Sequence, residues 1–319
     1  MPDTPSHERG SARTILVVNP AAGGGRAARA LDRVLDALRP WGEFEIAVTR
    51  AGERRPAERL VRSAVAGGAA RIAVLGGDGT ASEALNGLLL PNGEIAPVEL
   101  ALLPAGTGRD FARSAGLPRD PVAAARAAVA AHAPRAVDVG EIRLSDGGRR
   151  LFLNVASFGV SARIAHALEE HPDLKRRAGA LAFGLATLRA GLAYAPDDAE
   201  IAVDGEAPLR GPTAAVAIAN GGWFGGGMHV APRARIDDGA LEVVRFGDLA
   251  RRDFALSLPL LYRGTHESHP RVSMSRGSVV VAAPRGDGGR AIEIEADGEV
   301  VGELPATFAV RPGALRLLA

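Results

Sequence analysis

The segment Ile72-Ala73-Val74-Leu75-Gly76-Gly77-Asp78-Gly79-Thr80 is the part of the sequence that says most about the fold of this chain. Its four apolar residues predict a buried strand, and the glycines that follow predict a turn into a helix starting near Ala81. The glycines allow successive backbone N–H groups to point toward one spot, and the free N–H groups of the helix add positive charge. The segment therefore predicts an anion-binding site, although a glycine-rich turn merely capped by Asp78 has the same sequence.

The first 130 residues repeat this alternation of short apolar runs and helical patterns, which predicts a parallel α/β sheet. The predicted strands are 14–19, 44–49, 71–75 and 98–103, and the predicted helices include 56–66 and 80–90. Ligands of such sheets bind at the carboxyl ends of the strands. We therefore expect Asn19, Thr49, the 76–79 glycine turn and the loop Pro104-Ala105-Gly106-Thr107-Gly108 to face one crevice.

Beyond residue 136 the pattern changes to β-runs separated by Asp-Gly turns, which predicts antiparallel pairing. The interpretation is a nucleotide-binding α/β domain at 14–133, completed by strands in 306–319, and an all-β sandwich at 134–305. Two helical segments, 160–194 and 252–261, are expected to interrupt the sandwich.

Composition excludes several classes of protein. Lys175 is the one lysine among 38 basic residues of the 319, and it follows no glycine loop, so there is no P-loop of the usual kind. The absence of cysteine excludes disulfides and thiolate zinc sites. A net charge of +1 gives no general attraction to nucleic acid. The N-terminal residues lack the apolar core of a signal peptide, so a cytoplasmic protein is expected.

Several motifs, taken in chain order, carry a family resemblance. They are Val18-Asn19-Pro20-Ala21-Ala22-Gly23, Gly76-Gly77-Asp78-Gly79-Thr80, Asn86-Gly87-Leu88, Pro104-Ala105-Gly106-Thr107-Gly108, Asp110-Phe111-Ala112-Arg113, residues 221–227, Asp238-Gly239-Ala240-Leu241 and Asp297-Gly298-Glu299. The set resembles the diacylglycerol kinase catalytic-domain family, which includes bacterial lipid kinases and the ceramide and sphingosine kinases. Arg109 and Ser82 depart from the family pattern, which usually has Asn at both positions.

The resemblance implies a first domain like those of 6-phosphofructokinase and NAD kinases, followed by a β-sandwich that carries the lipid site. It implies transfer of the γ-phosphate of Mg-ATP to a hydroxyl of diacylglycerol or a related lipid. The lipid would be met at a membrane surface, so the expected location is cytoplasmic and peripheral at the inner face of the membrane.

The same resemblance assigns roles to individual residues. ATP contacts fall on Asn19, Thr49, Gly76, Gly77, Asp78, Gly79, Thr80, Ala81, Ser82, Glu83 and Thr107. Asp78 would meet the magnesium of Mg-ATP, and Asp238 would hold a structural Mg²⁺ together with the backbone carbonyls of Arg235 and Ala240. The general base is assigned to the 297–299 segment, without a choice between Asp297 and Glu299.

The sequence leaves two other functions open. One is a kinase of soluble substrates such as an NAD kinase, which shares the Gly-Gly-Asp-Gly motif. The other is a catalytically silent lipid- or nucleotide-binding regulatory protein. The basic run Lys175-Arg176-Arg177 and the apolar helix after it predict either peripheral contact with an anionic membrane or ordinary core packing. Whether the protein forms a homodimer is left open.

Overall fold

The fold is known from a computed structural model, which describes residues 13–170, 196–249, 258–285 and 291–319. The helices of the described residues include α1 (Ala22–Leu38), α2 (Pro56–Ala66), α3 (Asp78–Gly87), α4 (Asp110–Ser114), α5 (Pro121–Ala130) and α6 (Val160–Glu170). The first strands are β1 (Thr14–Val18), β2 (Phe44–Val48), β3 (Arg71–Gly76), β4 (Glu99–Pro104), β5 (Arg135–Leu144), β6 (Arg149–Phe152) and β7 (Val155–Gly159). The later strands are β8 (Asp197–Val203), β9 (Leu209–Ala219), β10 (Leu241–Gly247), β11 (Val272–Gly277), β12 (Val279–Pro284), β13 (Glu293–Ala296), β14 (Glu299–Glu303) and β15 (Ala306–Leu317).

The first half of the chain forms the predicted parallel sheet, in the order β2-β1-β3-β4. Every residue of β1 is buried, because helices cover both faces of the sheet. Ile15 and Val17 pack with α2 and α3, whereas Leu16 and Val18 pack with α1 and α5. The α/β architecture expected from the alternating pattern is confirmed.

The helix that follows the glycine turn differs from its predicted limits of 80–90. It begins two residues earlier, at Asp78, because extended backbone at Gly77 already allows the turn to close. It ends at Gly87, because Leu89 pairs with Ile95 in an isolated bridge that reverses the chain. Residues 76–79 are therefore the end of β3, the N-cap residue Gly77 and the start of α3, so a turn of one residue separates the strand from the helix.

The second half is the predicted antiparallel β structure, in which β13, β7, β9, β8 and β12 lie side by side. Phe152, Phe158 and Phe308 are fully buried at its centre. Of the predicted helical insertion at 160–194, α6 covers the first part, and residues 171–195, with Lys175, lie outside the described residues. The predicted segment 252–261 lies partly outside them as well.

The strand β15 runs through both halves. Its first residues pair with β12, Arg316 and Leu317 pair with β4, and almost its whole length pairs with β5. The register with β5 shifts between Arg311 and Leu315, around Pro312-Gly313. One strand therefore joins the antiparallel structure to the parallel sheet.

No helix in the described part of the chain is long and apolar enough to cross a membrane.

Candidate active site

A cleft of about 490 Å³ lies between the carboxyl ends of the parallel strands and the β structure. From the first half its lining includes Asn19, Gly77, Asp78, Gly79, Thr80, Glu83 and Thr107, and from the second Asn154, Phe224, Glu295, Asp297 and Glu299. A groove of about 630 Å³ between α1 and α5 is larger, but its lining contains none of the predicted site residues. The predicted crevice is therefore present and is shared by both halves of the chain.

Glycine is required where the loops of the cleft meet. A Cβ atom on Gly106 would lie 2.6 Å from the Cα of Gly77, and one on Gly23 would lie 2.0 Å from the carbonyl oxygen of Ala105. Side chains at these positions would force the three loops apart. Close approach of bare backbone leaves N–H groups free to face a ligand, as anion sites require.

The Asp78 carboxylate is fixed from the neighbouring loop. Its oxygens accept hydrogen bonds from the backbone N–H groups of Arg109, at 2.7 Å, and Phe111, at 3.3 Å. Burial nevertheless raises the pKa of Asp78 above its usual value, because the charged form is poorly solvated there. A cation close to this carboxylate would favour the ionised form.

Asp110 joins the two halves of the site. Its carboxylate accepts a hydrogen bond of 2.7 Å from the backbone N–H of Gly226 and pairs with Arg113. Burial, and then the charge of Asp78, raise its pKa. Asp110 stands in one of the sequence motifs, but the sequence predicts no role for it, because its partner is a backbone group more than a hundred residues away.

Two predicted ATP-contacting residues also have structural contacts. The Asn19 amide donates to the Thr80 hydroxyl at 2.9 Å, which ties the end of β1 to α3. Glu83 accepts a hydrogen bond of 2.8 Å from the backbone N–H of Ala57 and so caps α2, whose own N-cap residue, Arg55, provides no side-chain cap. Both side chains still line the cleft.

The remaining predicted contacts lie behind the cleft surface. Thr49 is buried at the end of β2 and is not in the lining. Gly76 and Ala81 line a small cavity behind the glycine turn. Ser82 is buried, and its hydroxyl hydrogen-bonds Asp297, so this departure from the family pattern has a partner inside the site.

The structure distinguishes Asp297 from Glu299. The Asp297 carboxylate accepts hydrogen bonds from the backbone N–H groups of Leu153, Asn154 and Val155, at 2.8, 3.0 and 3.3 Å. Burial raises its pKa to about 6 in spite of those bonds. Glu299 instead lies near two guanidinium groups, 3.6 Å from Arg55 Nε and 3.9 Å from Arg150 Nη2. Asp297 holds the backbone in place, and Glu299 is the more available carboxylate.

The predicted structural metal position lies outside the cleft, at the turn before β10. The Asp238 carboxylate pairs there with Arg276 and lies 3.9 Å from Arg235 Nε. Two guanidinium groups already neutralise this carboxylate, so the arrangement does not fit a divalent cation unless Arg276 moves away. Among the described residues no group of three or more His, Cys, Asp or Glu side chains could hold a metal.

The other departure from the family pattern, Arg109, lies at a backbone conformation that few side chains adopt. Its φ of 58° lies in the left-handed region, where Asn is the favoured residue after glycine. The Arg109 side chain donates from Nε to the carbonyl oxygen of Gly106 at 3.0 Å. The residue thus holds the 105–109 loop by both its backbone and its side chain.

Comparison with known proteins supports the resemblance to the diacylglycerol kinase catalytic-domain family. Residues 13–142 match the family model of the diacylglycerol kinase catalytic domain, and residues 154–319 match that of the YegS C-terminal NAD kinase beta sandwich-like domain. A Pseudomonas aeruginosa protein named a probable lipid kinase, YegS-like, is 33% identical over 96% of this chain and 93% of its own length. A Mycobacterium tuberculosis protein named diacylglycerol kinase is 28% identical over 98% of this chain and 96% of its own.

A solved structure of a diacylglycerol kinase from Bacillus anthracis shares the fold, with a TM-score of 0.70 and 23% identity over 96% of each chain. This chain belongs to the diacylglycerol kinase catalytic-domain family. Within that family it has the two-domain organisation of the YegS-type lipid kinases, an α/β domain followed by the YegS-type β-sandwich.

Proposed function

We propose that the protein transfers the γ-phosphate of ATP to the hydroxyl group of a membrane lipid, with diacylglycerol as the first candidate. One observation carries the proposal: the glycine turns that can hold phosphates and the Glu299 carboxylate line the same cleft. Transfer to an alcohol needs anion-binding groups for the phosphates and a carboxylate to accept the hydroxyl proton. A lipid acceptor places the reaction at a membrane surface, on the cytoplasmic side where ATP is available.

In this proposal the 76–79 turn and the start of α3 bind the phosphates through backbone N–H groups. A magnesium ion bound with ATP would supply charge neutralisation, and Asp78 would be the carboxylate beside it. We assign no catalytic step to a metal at Asp238.

Glu299 is the proposed proton acceptor. The lipid oxygen attacks the γ-phosphorus, the bond to the bridging oxygen of ADP breaks, and the hydroxyl proton passes to Glu299. Asp297 positions Glu299 by fixing the 297–299 turn against Leu153, Asn154 and Val155. It also keeps the α/β half close, through Ser82.

The test is phosphorylation by purified protein with labelled ATP and mixed micelles of diacylglycerol, or a total lipid extract. Labelled phospholipid is expected, and Glu299→Gln should lower its formation by about 10²–10⁴-fold while calorimetry still detects ATP binding. Labelled NADP from a parallel assay with NAD would instead support the soluble-substrate kinase. ATP binding without transfer to any acceptor would support the silent regulatory protein.

A further inference from the structure

Glu299 does not stand alone at the edge of the cleft. The Arg150 guanidinium extends one nitrogen, Nη2, toward Glu299 Oε2 at 3.9 Å, and the other, Nη1, to Glu58 Oε2 at 2.7 Å. Glu58 lies on α2 in the α/β half, whereas Arg150 and Glu299 lie on β6 and β14. The row Glu58–Arg150–Glu299 therefore crosses from one half of the chain to the other.

The ion-pair contacts of this row are shorter at the Glu58 end than at the Glu299 end. The other oxygen of Glu58 accepts from Arg62 at 2.7 Å, so both of its oxygens have guanidinium partners. The side chains of Glu58 and Arg150 are only 12% and 11% exposed, whereas that of Glu299 is 26% exposed. The Arg150 side chain is thus anchored in the interior, and its free end reaches the edge of the cleft.

The planar guanidinium group of Arg150 is held in one orientation by its contact with Glu58. Arginine presents its donors in a rigid fork, so anchoring one nitrogen also sets the direction of the other. Its Nε atom is buried and has no hydrogen-bond partner among the described residues, so the carboxylate contacts of the guanidinium are made through Nη1 and Nη2.

We propose that Arg150, anchored by Glu58, is a positioning residue that orients the Glu299 carboxylate toward the acceptor hydroxyl. The proposal rests on the proposed function, because it assigns Glu299 as the proton acceptor. Arg55, 3.6 Å from the same oxygen of Glu299, limits movement from the α2 side. If the Glu299 carboxylate were rotated or displaced, it would accept the proton poorly. The proposed phosphate-binding turns would not change.

The test compares steady-state kinetics of wild type, Arg150→Gln and Arg150→Lys. Arg150→Gln is expected to lower kcat by about 10- to 100-fold, as displacement of a reacting group does, with KM for ATP changed by less than about twofold. Arg150→Lys keeps the positive charge and should recover part of kcat. If Arg150→Gln fails to fold, the kcat of Arg150→Lys still tests the proposal. An unchanged kcat in the folded Arg150 variants overturns it.

Two comparisons separate positioning from general loss of structure. Arg71→Gln breaks an ion pair of similar burial, with Glu99 at 3.1 Å on the parallel sheet, and is expected to leave kcat within about twofold of wild type. In a Glu299→Gln background, Arg150→Gln should cost less than about twofold more, because the group it positions is gone. Equal losses with and without Glu299, or the same loss from Arg71→Gln, would refute the positioning role.

The wild-type reaction separates the two proposals. If wild type transfers phosphate to lipid but the Arg150 variants keep its kcat, only the positioning role is wrong. A wild type that transfers no phosphate overturns the proposed function, and this inference with it.

Discussion

At the scale of single residues, the site depends on positions where one added methyl group would displace a functional side chain. Gly108 is the sharpest case, because a Cβ there would lie 2.7 Å from Asp78 Oδ2 and 3.5 Å from Asp110 Oδ2. Under 3 Å, either the loop or the Asp78 carboxylate must move. The absence of a side chain at Gly108 therefore allows the Asp78 carboxylate to keep its position.

Gly108→Ala is expected to reduce phosphate transfer by about tenfold or more, since small misplacements at a reacting centre are costly. The melting temperature should fall by only a few degrees, because the loop lies at the surface of the cleft. Parallel activity and thermal-melt measurements check this. Normal activity in the variant would show that the Asp78 position does not matter for transfer.

The raised pKa of Asp297, about 6, predicts a pH-dependent contribution to stability. A carboxyl whose folded pKa lies above its unfolded value binds a proton more tightly when folded. Its stabilising contribution is complete below the unfolded pKa of 3.8 and is lost as the pH rises through about 6. Asp297→Asn removes this titration.

Relative to Asp297→Asn, the wild type should therefore gain about 1–2 kcal/mol in free energy of unfolding between about pH 7.5 and about pH 4.5. Urea unfolding of both proteins across this range measures the difference. A difference that does not vary with pH would mean that the burial of Asp297 does not shift its pKa.

At the scale of elements, the turn before β10 is stabilised by an arginine of β11. Arg276 pairs with Asp238 across the β10–β11 pair and occupies the oxygen that a metal would need. Removing Arg276 should therefore make this turn responsive to a divalent cation. The prediction tests the metal assignment without depending on enzymatic activity.

Added Mg²⁺ should change the melting temperature of the wild type little but raise that of Arg276→Gln by about 1–3 °C, as binding to the native state alone does. Arg143→Gln, which breaks the pair with Glu141 on β5, is the control and should behave like wild type. An equal rise in all three proteins would show that Arg276 does not keep the ion from Asp238, and no rise in any of them would count against a metal position there.

Much of the architecture could be predicted because it depends on local patterns. The buried runs at β1 and β3, and the helix at 56–66, follow directly from hydrophobic periodicity. The converging glycine loops follow from the rule that parallel strands end at one edge. Long-range polar contacts could not be predicted in this way. The links from Asp110 to Gly226 and from Arg150 to Glu58 and Glu299 join segments far apart in the chain, with no local signature.

At the scale of the whole molecule, β15 couples the two halves energetically. Leu315 and Leu317 are buried in the core of the parallel sheet, whereas Phe308 of the same strand is buried in the β structure. The two tryptophans lie in different halves of the chain, Trp41 after α1 in the first half and Trp223 in the second half. Each therefore reports on one half.

Leu317→Ala should cost about 2–5 kcal/mol, because it leaves a cavity in a fully buried position. In variants that keep only Trp41 or only Trp223, with Phe at the other position, fluorescence-detected unfolding should show the same midpoint, lowered equally by Leu317→Ala. A midpoint that falls for Trp41 alone would show that the two halves unfold independently.

The late position of β15 in the chain also has a consequence for biosynthesis. Strand β4 emerges early from the ribosome, but the strand that pairs with its free edge follows every other described strand in chain order. Until β15 is synthesised, β4 therefore has no partner strand on that edge. Unpaired edges pair readily with other chains. The β4 edge is therefore open to pairing with another chain until β15 is made.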